Sequence, residues 1–210
     1  MIHCRNLLRV TKVLARPGGN ITGMSTQSGD LSGKQIELLR AAVPRLSKIA
    51  VLVNPTNTGR LAILKDFETI ARKENLVILP IEAQTADAIE PAFAAMVAAR
   101  AGAVALMIDR LFLQQSKHIA ALALRHKLPL ISTQLQDAGA GSLMRYGASI
   151  AENYRRTATY VDKILKGAKP ADLPVEQPMR IELTLNLQTV KALGIKFPQT
   201  IAVRADRVIE

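Results

Sequence analysis

The sequence predicts an open, doubly wound α/β fold built on a parallel sheet. Four apolar runs of strand length begin near residues 48, 76, 103 and 128, and stretches of helical length separate them. This spacing is the length of one strand plus one crossover helix, which is the repeat of consecutive βαβ units. The run at 49–53 is unbroken and rich in β-branched residues, as expected of a strand buried on both faces.

Each element of this α/β unit has its own signal. The predicted strands lie at 48–54, 76–82, 103–109 and 128–133. The predicted helices between them lie at 59–74, 86–100 and 111–126. Upstream, a helix with Ile36 and Leu39 on its inner face is expected to take Ser32 as its N-cap and to end at Pro44. The sequence therefore places residues 34–133 in one doubly wound unit.

The rest of the chain carries fewer elements for its length. An amphipathic helix is predicted at 149–166, ended by Gly167 and Pro170, and a strand at 179–186 alternates apolar and polar residues, as a half-exposed strand does. A short helix near 187–194 and a closing segment follow. These elements are too few to form a sheet of their own.

Composition and charge disfavour several classes of protein. Of the 210 residues, 49% are hydrophobic, which is enough for a sizeable core. The 28 Lys and Arg against 17 Asp and Glu give a net charge of +11, but these positive residues are scattered and have no aromatic residues among them. We therefore expect neither nucleic acid nor an anionic membrane as a partner. The apolar runs are too short to span a membrane.

Residues that bind metals or carry out catalysis are sparse. Cys4 is the single cysteine, and the three histidines lack zinc-ligand spacing, so no metal site is predicted. No Gly-rich phosphate motif follows a strand, and no Gly-x-Ser-x-Gly sequence is present, so neither a cofactor nor a catalytic centre is expected. The sequence favours a protein that is not an enzyme.

Small polar and acidic residues follow three of the predicted strands. They are Asn54, Thr56 and Asn57 after the first, Asp109 at the end of the third, and Ser132 and Thr133 at the end of the fourth. Because ligands of open α/β sheets bind beyond the carboxyl ends of strands, we predict a ligand site here. Thr56, Asn57 and the backbone N–H groups that open helix 59–74 could hold a carboxylate or another anion. Two alternatives stay open. Asn-Pro-Thr-Asn at 54–57 is also typical of a turn that caps the following helix, and Asp109 could cap the helix that follows it.

Four stretches of the sequence together resemble one protein family. They are LARPGGNITGMST from residue 14, KQIELLRAAVPRLSKIAVLVNPTN from residue 34, GSLMRYGASIAENYRRTATYVDKILKGAKPADLPVEQP from residue 141 and RIELTLNLQTVKALGIKFPQTIAVRADRVIE from residue 180. They resemble the substrate-binding proteins of ABC importers, in the branch with tryptophan- and tyrosine-type members. The resemblance covers residues 14–210.

The resemblance implies a type I periplasmic-binding-protein fold, in which two Rossmann-like lobes close on a small solute. The implied parts are a first-lobe remnant and crossing segment at 1–33, a second lobe at 34–140, a crossing segment and first-lobe helix at 141–178, and a return to the second lobe at 179–210. Ser25 and Thr26, just after the first crossing, become further ligand-binding candidates. The implied protein partner is an ABC permease subunit, and the implied location is the periplasm.

One departure from the family pattern affects the expected behaviour. Members carry an export signal and most of a first lobe before the segment that starts at Leu14, and the residues before Leu14 here resemble neither. The resemblance therefore implies a truncated form, with reduced binding competence and the cytoplasm as an alternative location. It also leaves apolar residues of helix 149–166 uncovered, and we expect them to drive formation of a homodimer. These residues are Ile150, Val161, Ile164 and Leu165.

Two other functions fit the same scaffold. One is a cytoplasmic ligand-sensing regulatory module, although no DNA-binding helix-turn-helix precedes it in this sequence. The other is a small α/β enzyme acting on an anionic substrate, which would need a convergent acid or base that the sequence does not present.

Overall fold

The computed structural model describes residues 2–3, 14–26, 29–133, 141–177 and 180–210. The chain divides into two compact units: the first comprises Met1–Ser28 and Ala148–Ile181, and the second comprises Gly29–Gly147 and Glu182–Glu210. The four segments implied by the family resemblance stay a prediction. Among the described residues, no helix is both long enough and apolar enough to cross a bilayer.

Strands and helices alternate through most of the chain. The strands are β1 (Ile2–His3), β2 (Gly23–Thr26), β3 (Lys48–Val53), β4 (Val77–Glu82), β5 (Ala103–Leu106), β6 (Leu130–Ser132), β7 (Met144–Ala148), β8 (Val175–Glu176), β9 (Ile181–Asn186) and β10 (Arg207–Ile209). The helices are α1 (Gly29–Ala42), α2 (Arg60–Lys73), α3 (Ile89–Ala98), α4 (Arg110–Gln114), α5 (Ser116–Arg125), α6 (Ile150–Leu165), α7 (Leu187–Leu193) and α8 (Gln199–Ala202). A 3₁₀ turn at Pro170–Asp172 precedes β8.

The second unit contains a seven-stranded sheet in the order β10-β9-β7-β6-β5-β3-β4. Pairing is parallel from β7 through β6, β5 and β3 to β4, and again between β9 and β10. At one edge, β4 tolerates Pro80 because an edge strand has a side that needs no hydrogen-bond partner. The predicted fold class, an α/β protein with a parallel-dominated sheet, is confirmed.

Strand β3 is buried on both faces, as its unbroken apolar run predicted. Its odd-numbered residues Ile49, Val51 and Val53 belong to one core, which also holds buried residues of α1 and α2. Its even-numbered residues Ala50 and Leu52 belong to a second core, shared with α3 and α5. Helices therefore cover both faces of the sheet, which is the doubly wound arrangement.

The first unit contains a three-stranded parallel sheet in the order β1-β2-β8, and helix α6 packs on it. The helix buries Asn153 and Tyr160. The Tyr160 hydroxyl donates to the carbonyl oxygen of Pro174 at 2.7 Å. Both Nε and Nη2 of Arg156 donate to one carboxylate oxygen of Glu176 on β8, Nε at 2.7 Å. These contacts attach the helix to the last strand of the small sheet.

Two groups in these contacts have altered acidity. Burial raises the pKa of Tyr160 to about 12, and the neighbouring Glu176 adds to this effect. Burial alone would raise the pKa of Glu176, but hydrogen bonds from Arg156 and its charge outweigh burial, so the pKa of Glu176 is lowered. The folded unit therefore favours a neutral tyrosine beside an ionised glutamate.

Helix α6 also leaves large apolar side chains exposed. Val161, Ile164 and Leu165 are exposed, and so is Tyr154. The side chain of Ile150, expected in the same group, lies outside the described residues.

Three local predictions were wrong. Ser32 is not the N-cap of the first helix, because α1 begins at Gly29 and buries both Leu31 and Ser32. The single helix predicted at 111–126 is two helices, α4 and α5, separated at Gln115. Strand β9 is not half-exposed: Thr184 is buried on one face of the sheet, and Leu183 and Leu185 are buried on the other.

Candidate functional site

The predicted ligand residues of the second unit lie at or just beyond the carboxyl ends of β3, β5 and β6. Strands β3 and β5 are direct neighbours, and so are β5 and β6. The structure brings Asn54, Asn57 and Asp109 into hydrogen-bond contact, although more than 50 residues of sequence separate Asp109 from either asparagine. We call these three residues together with Thr56 the edge network.

The Asn54 side chain has only one possible orientation in this network. Its Oδ1 accepts from the backbone N–H of Thr56 at 3.0 Å, and its Nδ2 donates to Asp109 Oδ1 at 3.1 Å. Since a backbone N–H can only donate and a carboxylate can only accept, the two ends of the amide cannot be exchanged. The Thr56 hydroxyl, 2.8 Å from the same Asn54 Oδ1, must therefore donate to it.

The Asn57 side chain is used at both ends. Its Oδ1 accepts from the backbone N–H of Gly59 at 2.9 Å, just before helix α2 begins. Its Nδ2 donates to the Ile108 carbonyl oxygen at 2.9 Å and to Asp109 Oδ2 at 3.0 Å. Both N–H donors of this amide are thereby occupied, so Asn57 has no N–H left for a ligand unless it gives up one of these bonds.

Asp109 joins the two loops. Its Oδ1 accepts from Asn54 Nδ2 and, at 2.9 Å, from the backbone N–H of Leu111, while its Oδ2 accepts from Asn57 Nδ2. The bond to Leu111 makes Asp109 the N-cap of α4. Asp109 thus fills the capping role that the sequence left open and also holds the loop after β3.

Ser132 and Thr133 lie at the end of β6, close to Asp109. Together with Phe112 and other apolar residues they line a small cavity of about 10 Å³. Ser132 is buried, and the Thr133 Oγ1 is buried with no hydrogen-bond partner among the described residues. A space of this size is no larger than one water molecule needs, so the cavity by itself is not a solute pocket.

The other two candidates, Ser25 and Thr26, belong to the first compact unit. Ser25 is fully buried in β2, and its hydroxyl donates to the Glu176 carbonyl oxygen at 3.3 Å. This bond gives Ser25 a structural contact within its own small sheet. The side chain of Thr26 lies outside the described residues.

Sequence reasoning did not single out Arg145. This arginine on β7 is paired in register with Ser132 of β6 and is buried, with Glu182 of β9 at 3.7 Å. Burial lowers the pKa of Arg145, and the charge of Glu182 opposes that shift. A single arginine in a short strand gives no sequence pattern that predicts burial. The burial of Arg145 becomes visible only when β7 is seen paired with its neighbouring strands.

The described residues contain no cluster of three or more His, Cys, Asp or Glu placed to hold a metal ion. The edge network offers instead one carboxylate, the hydroxyl of Thr56 and two amides. Such a set can fix a loop and can recognise a small polar molecule by hydrogen bonds.

A family model described as ABC transporter substrate binding protein matches residues 7–209. The chain belongs to this family. Its members bind substrates for transport, so the established property of the family is binding rather than catalysis. The predicted resemblance is thereby confirmed.

Comparison with a characterised protein and with solved structures agrees with this family membership. A tyrosine-binding protein of Clostridioides difficile is 22% identical over 187 residues, which is 89% of this chain and 53% of the relative. The chain thus spans about half the length of this relative. An ABC domain in complex with L-Trp from Streptococcus pneumonia has a TM-score of 0.88 and 24% identity, over 99% of this chain and 71% of that one. A conserved domain protein from Vibrio cholerae has a TM-score of 0.87 and 23% identity, over 96% of this chain and 67% of that one.

Proposed function

We propose that the chain is a solute-binding component of an ABC importer and not an enzyme. We further propose that the edge network binds a small organic solute through a hydrogen-bond donor of that solute. Membership of the substrate-binding family supports the first part. The direction of the hydrogen bonds in the edge network supports the second.

The observation that carries this proposal is the fixed orientation of Asn54. Because the Thr56 hydroxyl donates its hydrogen bond to Asn54 Oδ1, its oxygen can only accept a hydrogen bond from a ligand. Thr56 is exposed, so this oxygen is accessible. The carboxylate of Asp109 adds negative charge beside it, which favours a cationic donor such as an ammonium group.

The same hydrogen bonds argue against a carboxylate at this place, which the sequence had left as one possible partner for Thr56 and Asn57. A carboxylate needs donors, and both N–H groups of Asn57 are committed. The backbone N–H groups of Gly59 and Arg60 at the start of α2 are committed as well. The network therefore favours the amine of an amino acid over its acid group.

An amino acid is the solute class that fits both lines of support. One relative is a tyrosine-binding protein, and one solved structure of the same fold holds L-Trp. Both molecules carry an α-ammonium group. We therefore propose a free amino acid, or an amine of similar size, as the solute.

Calorimetry with pairs of compounds that differ only in the amine tests this proposal. L-tyrosine is compared with 3-(4-hydroxyphenyl)propanoate, and L-tryptophan with its N-acetyl derivative. We expect binding by the free amines and at least tenfold weaker binding by the analogues, since an unpaired donor or acceptor in a site costs about 1.4 kcal/mol or more. Equal binding of both members of each pair would contradict the proposed polarity.

A matched pair of variants locates the contact. Thr56→Val removes the accepting oxygen while it keeps the shape of the side chain, and we expect it to weaken amine binding about tenfold. Thr58→Val makes the same change two residues away, at another exposed threonine, and should leave binding unchanged. If both variants bind like the parent protein, the solute contacts another part of the molecule.

The remaining parts of the proposal concern partners and place. We propose an ABC permease subunit as the membrane partner and a location outside the cytoplasmic membrane, as the role of an importer component requires. We also propose that the chain forms a homodimer. The exposed apolar residues of α6 support this last point.

A further inference from the structure

The Thr133 hydroxyl is buried beside the edge network. Its Oγ1 has no hydrogen-bond partner among the residues that the structure describes. Nearly all buried polar groups of folded proteins bond to a protein group or to an ordered water, because a buried hydroxyl without a partner is destabilising. A partner is therefore expected next to Thr133.

Strand β7 fixes the backbone of Thr133. Gly147 passes so close to it that a Cβ at residue 147 would lie 2.2 Å from the Thr133 carbonyl oxygen and 3.0 Å from the Thr133 Cα. Ser132, the residue before it, is buried and is paired in register with Arg145 of β7. The backbone of Thr133 is thus not free to shift towards another protein group, and the partner has to come to the hydroxyl.

Thr133 and Asp109 line the same small cavity. Its volume is about 10 Å³, and a space of about 10 to 15 Å³ is what one water molecule needs. A buried water also needs at least two polar partners, and Thr133 and Asp109 supply them. The other lining residues are Ser132 and four apolar residues, Leu106, Met107, Phe112 and Leu113. The cavity thus has the size and the polarity of a site for one water molecule.

Asp109 has room for one more hydrogen bond. Its Oδ1 accepts from Asn54 and from the backbone N–H of Leu111, whereas its Oδ2 accepts from Asn57 alone among the described residues. Each carboxylate oxygen has two lone pairs, so one stays available on Oδ2. Because a carboxylate can only accept, a water beside it must donate, and the water oxygen can then accept from the Thr133 hydroxyl.

We propose that the cavity binds one ordered water, which accepts from the Thr133 hydroxyl and donates to the carboxylate of Asp109. Direct hydrogen bonds already join the loops after β3 and β5, and the water adds the end of β6. Thr133 is thus a positioning residue, which holds Asp109 through the water. The water site stands without the proposed function, and only its effect on solute binding rests on that function.

Thr133→Val tests the water site by the sign of its effect, because valine has nearly the shape of threonine but no hydroxyl. If the water bridges Thr133 and Asp109, the variant loses the bridge, and we expect its equilibrium constant of unfolding to rise about tenfold in urea unfolding. If the hydroxyl has no partner, its removal relieves an unpaired buried group, and the variant is at least as stable as the parent. This second result would overturn the proposal. Thr58→Val, at an exposed threonine, is the matched control and should be neutral.

Two further measurements distinguish the water bridge from simple packing of Thr133. In an Asp109→Ala background, Thr133→Val should change the equilibrium constant of unfolding less than about twofold, because the water has already lost one partner. The backbone N–H of Leu111, which donates to Asp109, should exchange faster in Thr133→Val and at the parent rate in Thr133→Ser, which keeps the hydroxyl. A packing role would give the opposite order, since valine keeps the methyl group and serine loses it.

Crystal structures of the parent, Thr133→Ser and Thr133→Val show the water directly. We expect one ordered water in the cavity of the first two and none in the third. A direct bond from the Thr133 hydroxyl to a protein group, a water that persists in Thr133→Val, or a full effect of Thr133→Val in the Asp109→Ala background would each overturn the proposal.

Calorimetry with L-tyrosine tests the positioning role. We expect Thr133→Val to bind about threefold more weakly than the parent and Thr133→Ser to bind like the parent, because only serine keeps the water that holds Asp109. Binding by Thr133→Val as tight as that of the parent would overturn this role. The stability and crystal results decide the water site even if the parent does not bind L-tyrosine, an outcome that counts against the proposed function alone.

Discussion

Replacing Asp109 by alanine tests whether this residue holds the edge network together. The change removes the acceptor of three hydrogen bonds, from Asn54 Nδ2, from Asn57 Nδ2 and from the backbone N–H of Leu111. Hydrogen bonds to a charged acceptor contribute about 1.5 to 3 kcal/mol each when buried. Because these three are only partly buried, we take about 1 kcal/mol for each and expect a loss of about 3 kcal/mol in the free energy of unfolding.

Asp109→Asn divides this loss between the two oxygens. An asparagine can keep its oxygen where Oδ1 now accepts from Asn54 and Leu111, but its NH₂ group then faces the NH₂ group of Asn57. One bond of three is lost, so we expect a destabilisation of about 1 to 1.5 kcal/mol. The free energy of unfolding should therefore decrease from the parent protein to the Asn variant and again to the Ala variant.

Urea unfolding followed by circular dichroism measures these differences, and amide hydrogen exchange locates them. The backbone N–H groups of Gly59 and Leu111 should exchange faster in the alanine variant, because both depend on the network. Asp87→Ala is a matched control, since Asp87 is an exposed aspartate in the loop after β4, and its loss should cost less than about 0.5 kcal/mol. If Asp109→Ala costs no more than this control, the network is not what fixes the loop.

Three further changes test other parts of the structure. Gly147→Ala should destabilise the chain by ~3 kcal/mol in urea unfolding, because a Cβ there would lie 2.2 Å from the carbonyl oxygen of Thr133. Gly19→Ala is the control and should be neutral, because nothing lies within 4 Å of a Cβ at that position. Equal effects of the two changes would contradict this prediction. Because the pKa of Tyr160 is raised from about 10 to about 12, the folded state gains about 2 kcal/mol below pH 10 that is lost as the pH rises through 12. Tyr160→Phe should therefore flatten the loss of stability between pH 9 and pH 12, and an unchanged pH profile would contradict this. Arg100→Gly should raise the free energy of unfolding by about 1 kcal/mol, because Arg100 has φ 57° after helix α3 and glycine adopts that conformation without strain; a lower melting temperature would refute it.

The fold could be predicted where the pattern along the chain reports directly on burial. The run that became β3 is apolar without interruption, and both of its faces are in cores. Strand β9 shows where this rule fails. Its polar residue Thr184 alternates with leucines, as on a half-exposed strand, but Thr184 is buried like the leucines on the opposite face. Burial of a sheet face depends on elements distant in sequence, which a local pattern cannot report.

Two predicted helix boundaries were also wrong. Ser32 has the chemistry of an N-cap, yet α1 continues towards the N-terminus to bury Leu31. The break between α4 and α5 at Gln115 has no glycine or proline to announce it. At α1 the burial of Leu31 outweighs the capping propensity of Ser32, whereas no local signal in the sequence accounts for the break at Gln115.

The edge network shows why turn chemistry and ligand binding were not true alternatives for the segment after β3. Read locally, Asn54 and Asn57 fit a turn, and Asp109 fits a helix cap. The structure uses all three in these ways, and the same hydrogen bonds decide which atoms remain for a ligand. Because Asn54 and Asp109 are 55 residues apart, the sequence could indicate that their loops meet but not that their side chains bond to each other. That one pairing across two strands fixes Asn54, so the Thr56 hydroxyl donates inward and keeps its accepting lone pairs outward. In the function proposed above, this outward acceptor is what would distinguish a cationic solute from an anionic one.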